Sequence, residues 1–188
     1  MLATIALLVG ARLQTAASAS NEAFAQLGLG ADDVVLISSA RQTVRWGDLQ
    51  GAPRAIFFGF THCPEVCPTT MADLSGAMER VGTDAQALKV QFITLDPARD
   101  EPDILCDYLA SFGPQFEGYS GDAAEIARLA RAFQVAYERT DTLGGGYTLD
   151  HTALVFLVDR RGRVVDLVGY QSPPDRMDAQ IRRFLRED

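Results

Sequence analysis

Cysteine is scarce in this 188-residue chain, with three in all, and histidine scarcer still, with two. Three thiols build no disulfide framework, and the lack of a second cysteine pair at metal-ligand spacing excludes a zinc ribbon held by four thiolates. Basic charge is also short: 17 Lys and Arg stand against 25 Asp and Glu, for a formal net charge of −8 and a pI near 4.7. The basic residues form no long run, and a nucleic-acid binder needs a basic stripe to neutralise phosphates, so that class is set aside. Internal repeats and low-complexity tracts are missing as well. No apolar run reaches the roughly 20 residues that span a bilayer; the longest N-terminal one, Met1 to Ala11, is about half of that.

What is present suits a single globular domain: a hydrophobic content of 47% is enough for a full core at this length. Met1 to Ala11 is followed by Arg12 and then by small residues through Ala16-Ala17-Ser18-Ala19-Ser20, a pattern similar to a secretory leader with its cleavage region. Residues 1–20 are therefore expected to be a leader or a partial membrane anchor, with an ordinary amphipathic helix as the alternative. Residues 21–32 read as a linker, and 33–188 as the domain.

The chemistry concentrates in Phe57-Phe58-Gly59-Phe60-Thr61-His62-Cys63-Pro64-Glu65-Val66-Cys67-Pro68. The short apolar run reads as a buried central strand. It delivers two thiols, three residues apart, to the start of a helical pattern in which Met71, Leu74, Met78 and Val81 recur, with Thr69 and Thr70 available as caps. A helix N-terminus favours thiolate, the form that binds metal and exchanges disulfides. A purely structural Cys63–Cys67 bridge is the bland alternative; closing so short a loop contributes only about 2 kcal/mol, against roughly 3 for a 15-residue loop. The methionines read as core rather than as metal ligands.

Around this stretch, strands at Asp33–Ser38 and Thr43–Trp46 form an expected hairpin, and further strands are expected at Arg54–Phe60, Leu88–Leu95, Val135–Arg139, Ala153–Val158 and Val164–Val168. Ile104, Leu105, Tyr108, Leu109 and Phe112 mark one helix face, leaving Cys106 on its flank as an incidental thiol. Asp122 and Glu125 form a capping-box-like start for a helix carrying Ile126, Leu129, Ala130 and Phe133. A last helix follows Pro173-Pro174, with Met177, Ile181, Phe184 and Leu185 inward. Alternating strands and helices closed by a hairpin and a terminal helix predict an α/β fold, a thioredoxin-like sandwich with an N-terminal β-hairpin and an inserted helix.

Of the two histidines, His62 adjoins Cys63 on an extended segment and is expected to point away from its sulfur. His151 lies 84 residues beyond Cys67, behind Gly144-Gly145-Gly146, on what reads as a mobile loop able to swing over the thiol pair. Two soft thiolates and one imidazole suit Cu(I), and Cu(II) with an added oxygen ligand, whereas structural zinc would want a fourth protein ligand. Asp96 and Asp150 are candidates for orienting His151 or tuning the thiols, or else plain turn and strand-end caps.

Three blocks, Phe58 to Thr69, Thr94-Leu95-Asp96-Pro97-Ala98-Arg99-Asp100, and Asp150-His151-Thr152, resemble the signature blocks of the Sco/SenC family over roughly residues 32–187. The resemblance implies a thioredoxin-like copper-binding domain in residues 33–188, with Cys63, Cys67 and His151 as copper ligands. It implies a metallochaperone on the periplasmic side of a bacterial inner membrane, secreted or tethered through its N-terminus. Its partner would be the copper-bearing subunit of cytochrome c oxidase, whose dinuclear copper centre it loads, with other copper carriers or thiol reductants upstream. The competing reading is a thiol–disulfide oxidoreductase in which Cys63 and Cys67 are catalytic and keep a partner's cysteines reduced. A cysteine peroxidase, with Arg99 as the arginine beside its thiol, is a third.

Overall fold

The computed structural model describes Phe24 and residues 26–188, so the expected leader, residues 1–20, lies outside the described residues. The described part of the expected linker packs into the domain: Leu27 and Ala31 are buried, and the Gly28 amide donates to the Ala132 carbonyl. Among the described residues no helix is long and apolar enough to cross a membrane.

The sheet grows from the apolar run. Strand β3 (Arg54–Gly59) is buried at every position, as a strand covered on both faces must be. It pairs in parallel with β4 (Lys89–Thr94), which pairs in parallel with β5 (Phe116–Ser120). On the other side β3 meets β8 (Leu154–Val158) antiparallel, and β8 turns back into β9 (Val164–Gly169). The N-terminal hairpin of β1 (Val35–Ser38) and β2 (Thr43–Arg45) adds through β1 to β5, which gives the seven-stranded order β2-β1-β5-β4-β3-β8-β9.

Successive residues of β3 point to opposite faces, and the aromatic contacts show what covers each. Phe57 meets Phe92, which meets Tyr108 of α2 (Pro102–Leu109) at a tilt, on the face that also carries α1 (Val66–Val81). Phe58 meets Phe133 and Phe156 on the opposite face, where Phe133 ends α3 (Ala123–Ala132) and also takes the edge of Trp46. Helix α4 (Pro174–Glu187) packs on α1 through Met177, Ile181 and Phe184, and Asp178 accepts two bonds from Arg80 at 2.8 and 2.9 Å. The architecture is the expected α/β thioredoxin-like sandwich with its N-terminal hairpin.

Several local expectations give way to tertiary context. Thr70 lies inside α1 and donates back to the Val66 carbonyl at 2.7 Å, and Glu65 stands at the N-cap, so the threonines do not cap the helix. Asp122 does cap α3, accepting from the Ala124 amide at 2.8 Å, but Glu125 accepts from the Val35 amide of β1 instead of closing a capping box. Ile104 is exposed, while Leu105 and Leu109 carry the inward face of α2. Strand β5 was not expected at all: Phe-Glu-Gly-Tyr-Ser has little apolar character, and its Gly118 is required because a Cβ there would stand 2.8 Å from Leu105 Cβ.

The largest departure is at the glycines. The strand expected at Val135–Arg139 runs as β6 (Tyr137–Thr142), and it pairs with β7 (Gly146–His151) in a separate two-stranded sheet. Gly144 and Gly145, both with positive φ, make the hairpin tip. His151 is therefore the last residue of a paired strand, opposite Tyr137, and not part of a mobile glycine loop.

Candidate metal centre

The two sulfurs occupy different environments because one precedes the helix and one is in it. Cys63 sits on the turn after β3, its amide donating to the Phe60 carbonyl, and is half-buried. Its Sγ accepts from the Cys67 amide at 3.4 Å, so a thiol fills the capping role expected of the threonines. Cys67 is the second residue of α1 and is fully buried.

The Cys67 sulfur rests where a side chain at residue 59 would stand: a Cβ on Gly59 would be 2.8 Å from it and 2.7 Å from the Phe57 ring. Burial dominates the electrostatics of this thiol and pushes its pKa well up, against a smaller opposing effect of the Phe60 backbone. The helix N-terminus favours thiolate at both sulfurs, and at Cys67 burial acts against it. Desolvation outweighs the dipole there, and a bound cation would supply the missing stabilisation.

The third group arrives from β7. The Nε2 atom of His151 lies 3.5 Å from the Cys67 sulfur, and its ring takes edge-on contacts with Phe57 and Phe60, each at 5.9 Å between centroids. Nδ1 is 3.0 Å from the Thr152 carbonyl. A carbonyl only accepts, so Nδ1 carries the proton and Nε2 presents its lone pair to the sulfurs. Burial lowers the imidazole pKa and favours that neutral, ligating form.

One ligand atom each from Cys63, Cys67 and His151 lies within 4.8 Å of the others. Bonds of about 2.3 Å to sulfur and 2.0 Å to nitrogen at a trigonal centre put the donors roughly 3.7–4.0 Å apart, so one ion fits the cluster after small adjustments. All three cysteines of the chain are free thiols, and Cys106 is exposed on α2, away from the pair. Beside the cluster opens a cleft of ≈ 290 Å³ lined by Phe60, Cys63, Glu65, Val66, Leu149 and Asp150, among others. It leaves the Cys63 side approachable.

Of the other residues weighed for the site, His62 and the methionines lie outside the cluster as expected, and Asp96 and Asp150 fall outside it too. His62 is half-exposed, its Nδ1 at 3.2 Å from the Thr61 hydroxyl. Met71 and Met78 are core. Asp150 accepts from the Thr140 hydroxyl at 3.1 Å, and the group that orients His151 is the Thr152 carbonyl. Asp96 is buried and binds the Arg99 guanidinium and the Tyr147 hydroxyl. With Arg99 so engaged, the arginine needed for a peroxidase site is directed elsewhere.

Sequence reasoning missed Asp100. Fully buried, it accepts from the Thr61 amide at 3.0 Å and from the Thr61 and Thr94 hydroxyls, each at 2.6 Å, and so fixes the turn that leads to Cys63. The signal available was a carboxylate four residues after Asp96 at the end of a buried strand, where a lone acid must find donors.

Comparison with known proteins adds to this geometry. The family model described as SCO1/SenC matches residues 31–186. An SCO2-like protein of Rickettsia felis is 32% identical over 156 residues, covering 82% of this chain and 74% of the relative. Among solved structures, Bradyrhizobium japonicum ScoI with copper bound is 40% identical, with a TM-score of 0.73 over 80% of this chain and 96% of that one. Arabidopsis thaliana ScoI with copper bound is 27% identical, with a TM-score of 0.77 over 82% and 96%. A family match that runs over residues 31–186, with a relative 32% identical over 82% of the chain, settles descent: this protein belongs to the SCO1/SenC family.

Proposed function

We propose that the protein is a copper carrier that holds one ion between Cys63, Cys67 and His151 and delivers it to the dinuclear copper centre of cytochrome c oxidase during assembly. The observation that carries the reading is the convergence of two sulfurs and a lone-pair-bearing imidazole within 4.8 Å. Soft sulfur donors select Cu(I), and a three-donor set with an approachable side leaves room for an incoming ligand. Cu(II) is accommodated by the same atoms with an oxygen added. Relatives solved with copper bound support the choice of metal. The asymmetry of the sulfurs suits stepwise hand-over: the partner replaces Cys63 first, from the cleft, and buried Cys67 last.

The acceptor is the copper-bearing subunit of the oxidase, with a further copper carrier or thiol reductant upstream. We place the reaction on the periplasmic side of a bacterial inner membrane, with the apolar segment Met1–Ala11 as tether or leader; bacterial relatives in Rickettsia support this setting.

Titration with Cu(I) against a chromogenic chelator tests the reading. One equivalent is expected for the wild type, and His151→Ala is expected to weaken binding by at least about tenfold, or roughly 1.4 kcal/mol. Unchanged affinity in His151→Ala would refute the three-ligand site.

The same thiol pair supports a second reading. Cys63, half-buried and bordering the cleft, would be the attacking thiol and buried Cys67 the resolving one. The Cys63 thiolate would attack a partner's disulfide to give a mixed disulfide. Cys67 would then displace the partner as a dithiol, leaving Cys63–Cys67 oxidised. Such activity survives His151→Ala, whereas copper retention does not.

A further inference from the structure

The third ligand belongs to a strand that the main sheet does not hold. Strand β7 pairs with β6, which is exposed along its whole length, so the ladder leaves the tilt of the hairpin open. Tyr147, Leu149 and His151 alternate onto one face of β7, and Leu149 is buried. At about 3.4 Å per residue, Tyr147 stands some 14 Å up the strand from His151. What holds Tyr147, together with the Thr152–Ala136 bonds at the neck of the hairpin, therefore bears on where the imidazole arrives.

Tyr147, itself only partly buried, is held by four contacts. Its ring lies between two guanidinium groups, Arg99 at 3.7 Å and Arg139 at 3.9 Å from the centroid. Its hydroxyl donates to Asp96 Oδ1 at 2.8 Å, and its carbonyl accepts from Arg99 Nη1 at 3.1 Å. Arg99 Nε closes the triangle on Asp96 Oδ2. The opposite end of the same five-residue loop holds the thiol side. Asp100 binds the Thr61 amide and hydroxyl, two residues ahead of Cys63. The loop itself is stiffened by Arg99 and Asp100 amides that donate to the Asp96 carbonyl at 3.1 and 2.9 Å.

We propose that the Asp96–Asp100 loop is a bracket that sets the spacing between the thiol pair and His151, with Arg99 and Tyr147 as positioning residues for the third metal ligand. This rests on the copper-carrier reading for its purpose, and on contacts among residues that touch no metal for its mechanism. Arg99 suits the role because a planar guanidinium stacks on the ring while its nitrogens bind a carboxylate and a carbonyl; a lysine ammonium does not do all three. Groups that orient a ligand from behind commonly change metal affinity by about 10–100-fold.

Cu(I) competition titrations on the full chain, carrying Arg99→Ala and, separately, Tyr147→Phe, test the bracket, with thermal melts to verify folding. Arg99→Ala is expected to weaken Cu(I) binding by about 10–100-fold. Tyr147→Phe, which keeps the stacked ring, should weaken it less. The deciding comparison is a double-mutant cycle: in a His151→Ala background, Arg99→Ala should cost no more than roughly a further threefold, since its effect travels through the missing imidazole. An equal loss in both backgrounds would overturn the proposal, because Arg99 would then act on the fold or the thiols. Amide exchange of metal-free protein forms an independent arm: Gly146–His151 should exchange faster in Arg99→Ala and also in Tyr147→Phe. Unchanged exchange in both would overturn the bracket whatever the metal does. Failure of the wild type to take up Cu(I) would refute the functional reading alone, and the exchange result would then decide the bracket.

Discussion

At the scale of single residues, the site depends on one side chain that is missing. Gly59 has ordinary backbone angles; what it supplies is space, filled by the Cys67 sulfur. Gly59→Ala is expected to destabilise the fold by about 1–3 kcal/mol, because sulfur and ring must both shift, and to weaken Cu(I) binding in step. Urea denaturation and the chelator titration measure the two effects; a stable variant with intact affinity would show that the sulfur is not seated there. That Cys63, Cys67 and His151 would come together was legible from residue type, since few residue types suit a soft metal and the chain has few of them. The proton arrangement on His151 was not, as it follows from a carbonyl whose direction only the fold determines. Neither was the raised pKa of Cys67. Position at a helix N-terminus is visible in sequence, whereas the full burial of Cys67 against Gly59 is a tertiary property. Arg54 is a parallel case: it reads as an ordinary strand residue, yet it is buried against Trp46, and burial draws its pKa down to about 10.

At the scale of elements, strongly patterned segments could be read and weakly patterned ones could not. The apolar β3, the heptad-like stripe of α1 and the inward face of α4 each announce themselves by period. Strand β5 is recruited by its neighbours β4 and β1 and carries no such signal, whereas β6 was expected but set two residues early, because its own residues are mostly polar and the apolar Val135 precedes it. The glycines misled for a definite reason: positive φ at Gly144 and Gly145 serves a tight reversal between paired strands, which in sequence looks the same as a loose loop. Caps were half legible. Asp122 caps α3 through local geometry, and Asp122→Ala should lower stability by about 1 kcal/mol in urea unfolding, with Cu(I) affinity untouched. Glu125 reaches another element, which no local pattern encodes.

At the scale of the molecule, the candidate metal site joins two parts of the fold that are 84 residues apart in the chain. A site of this kind exists only in the folded state, so the ion is expected to stabilise the protein by mass action. Free Cu(I) at about a thousand times its Kd corresponds to roughly 4 kcal/mol. At about 2–4 °C per kcal/mol for a domain of this size, the melting temperature should rise by roughly 8–16 °C. His151→Ala should show a much smaller rise, its two remaining sulfurs being near neighbours even in the unfolded chain. An equal rise in both proteins would mean that the long-range ligand contributes nothing.

The hairpin that carries His151 is pinched shut where it leaves the core: the Thr152 amide donates to the Ala136 carbonyl, and the Ala136 amide to the Thr152 hydroxyl. Beyond Tyr147 its tip projects free, with Leu143 fully exposed. Chain length at that tip is thereby decoupled from both core and ligand, since foreign residues spliced between Gly144 and Gly145 would extend outward without passing any strain through the neck. The tip is thus the natural place for a tag, a graft or a lineage-specific extension to be accommodated while the chemistry below stays as it was.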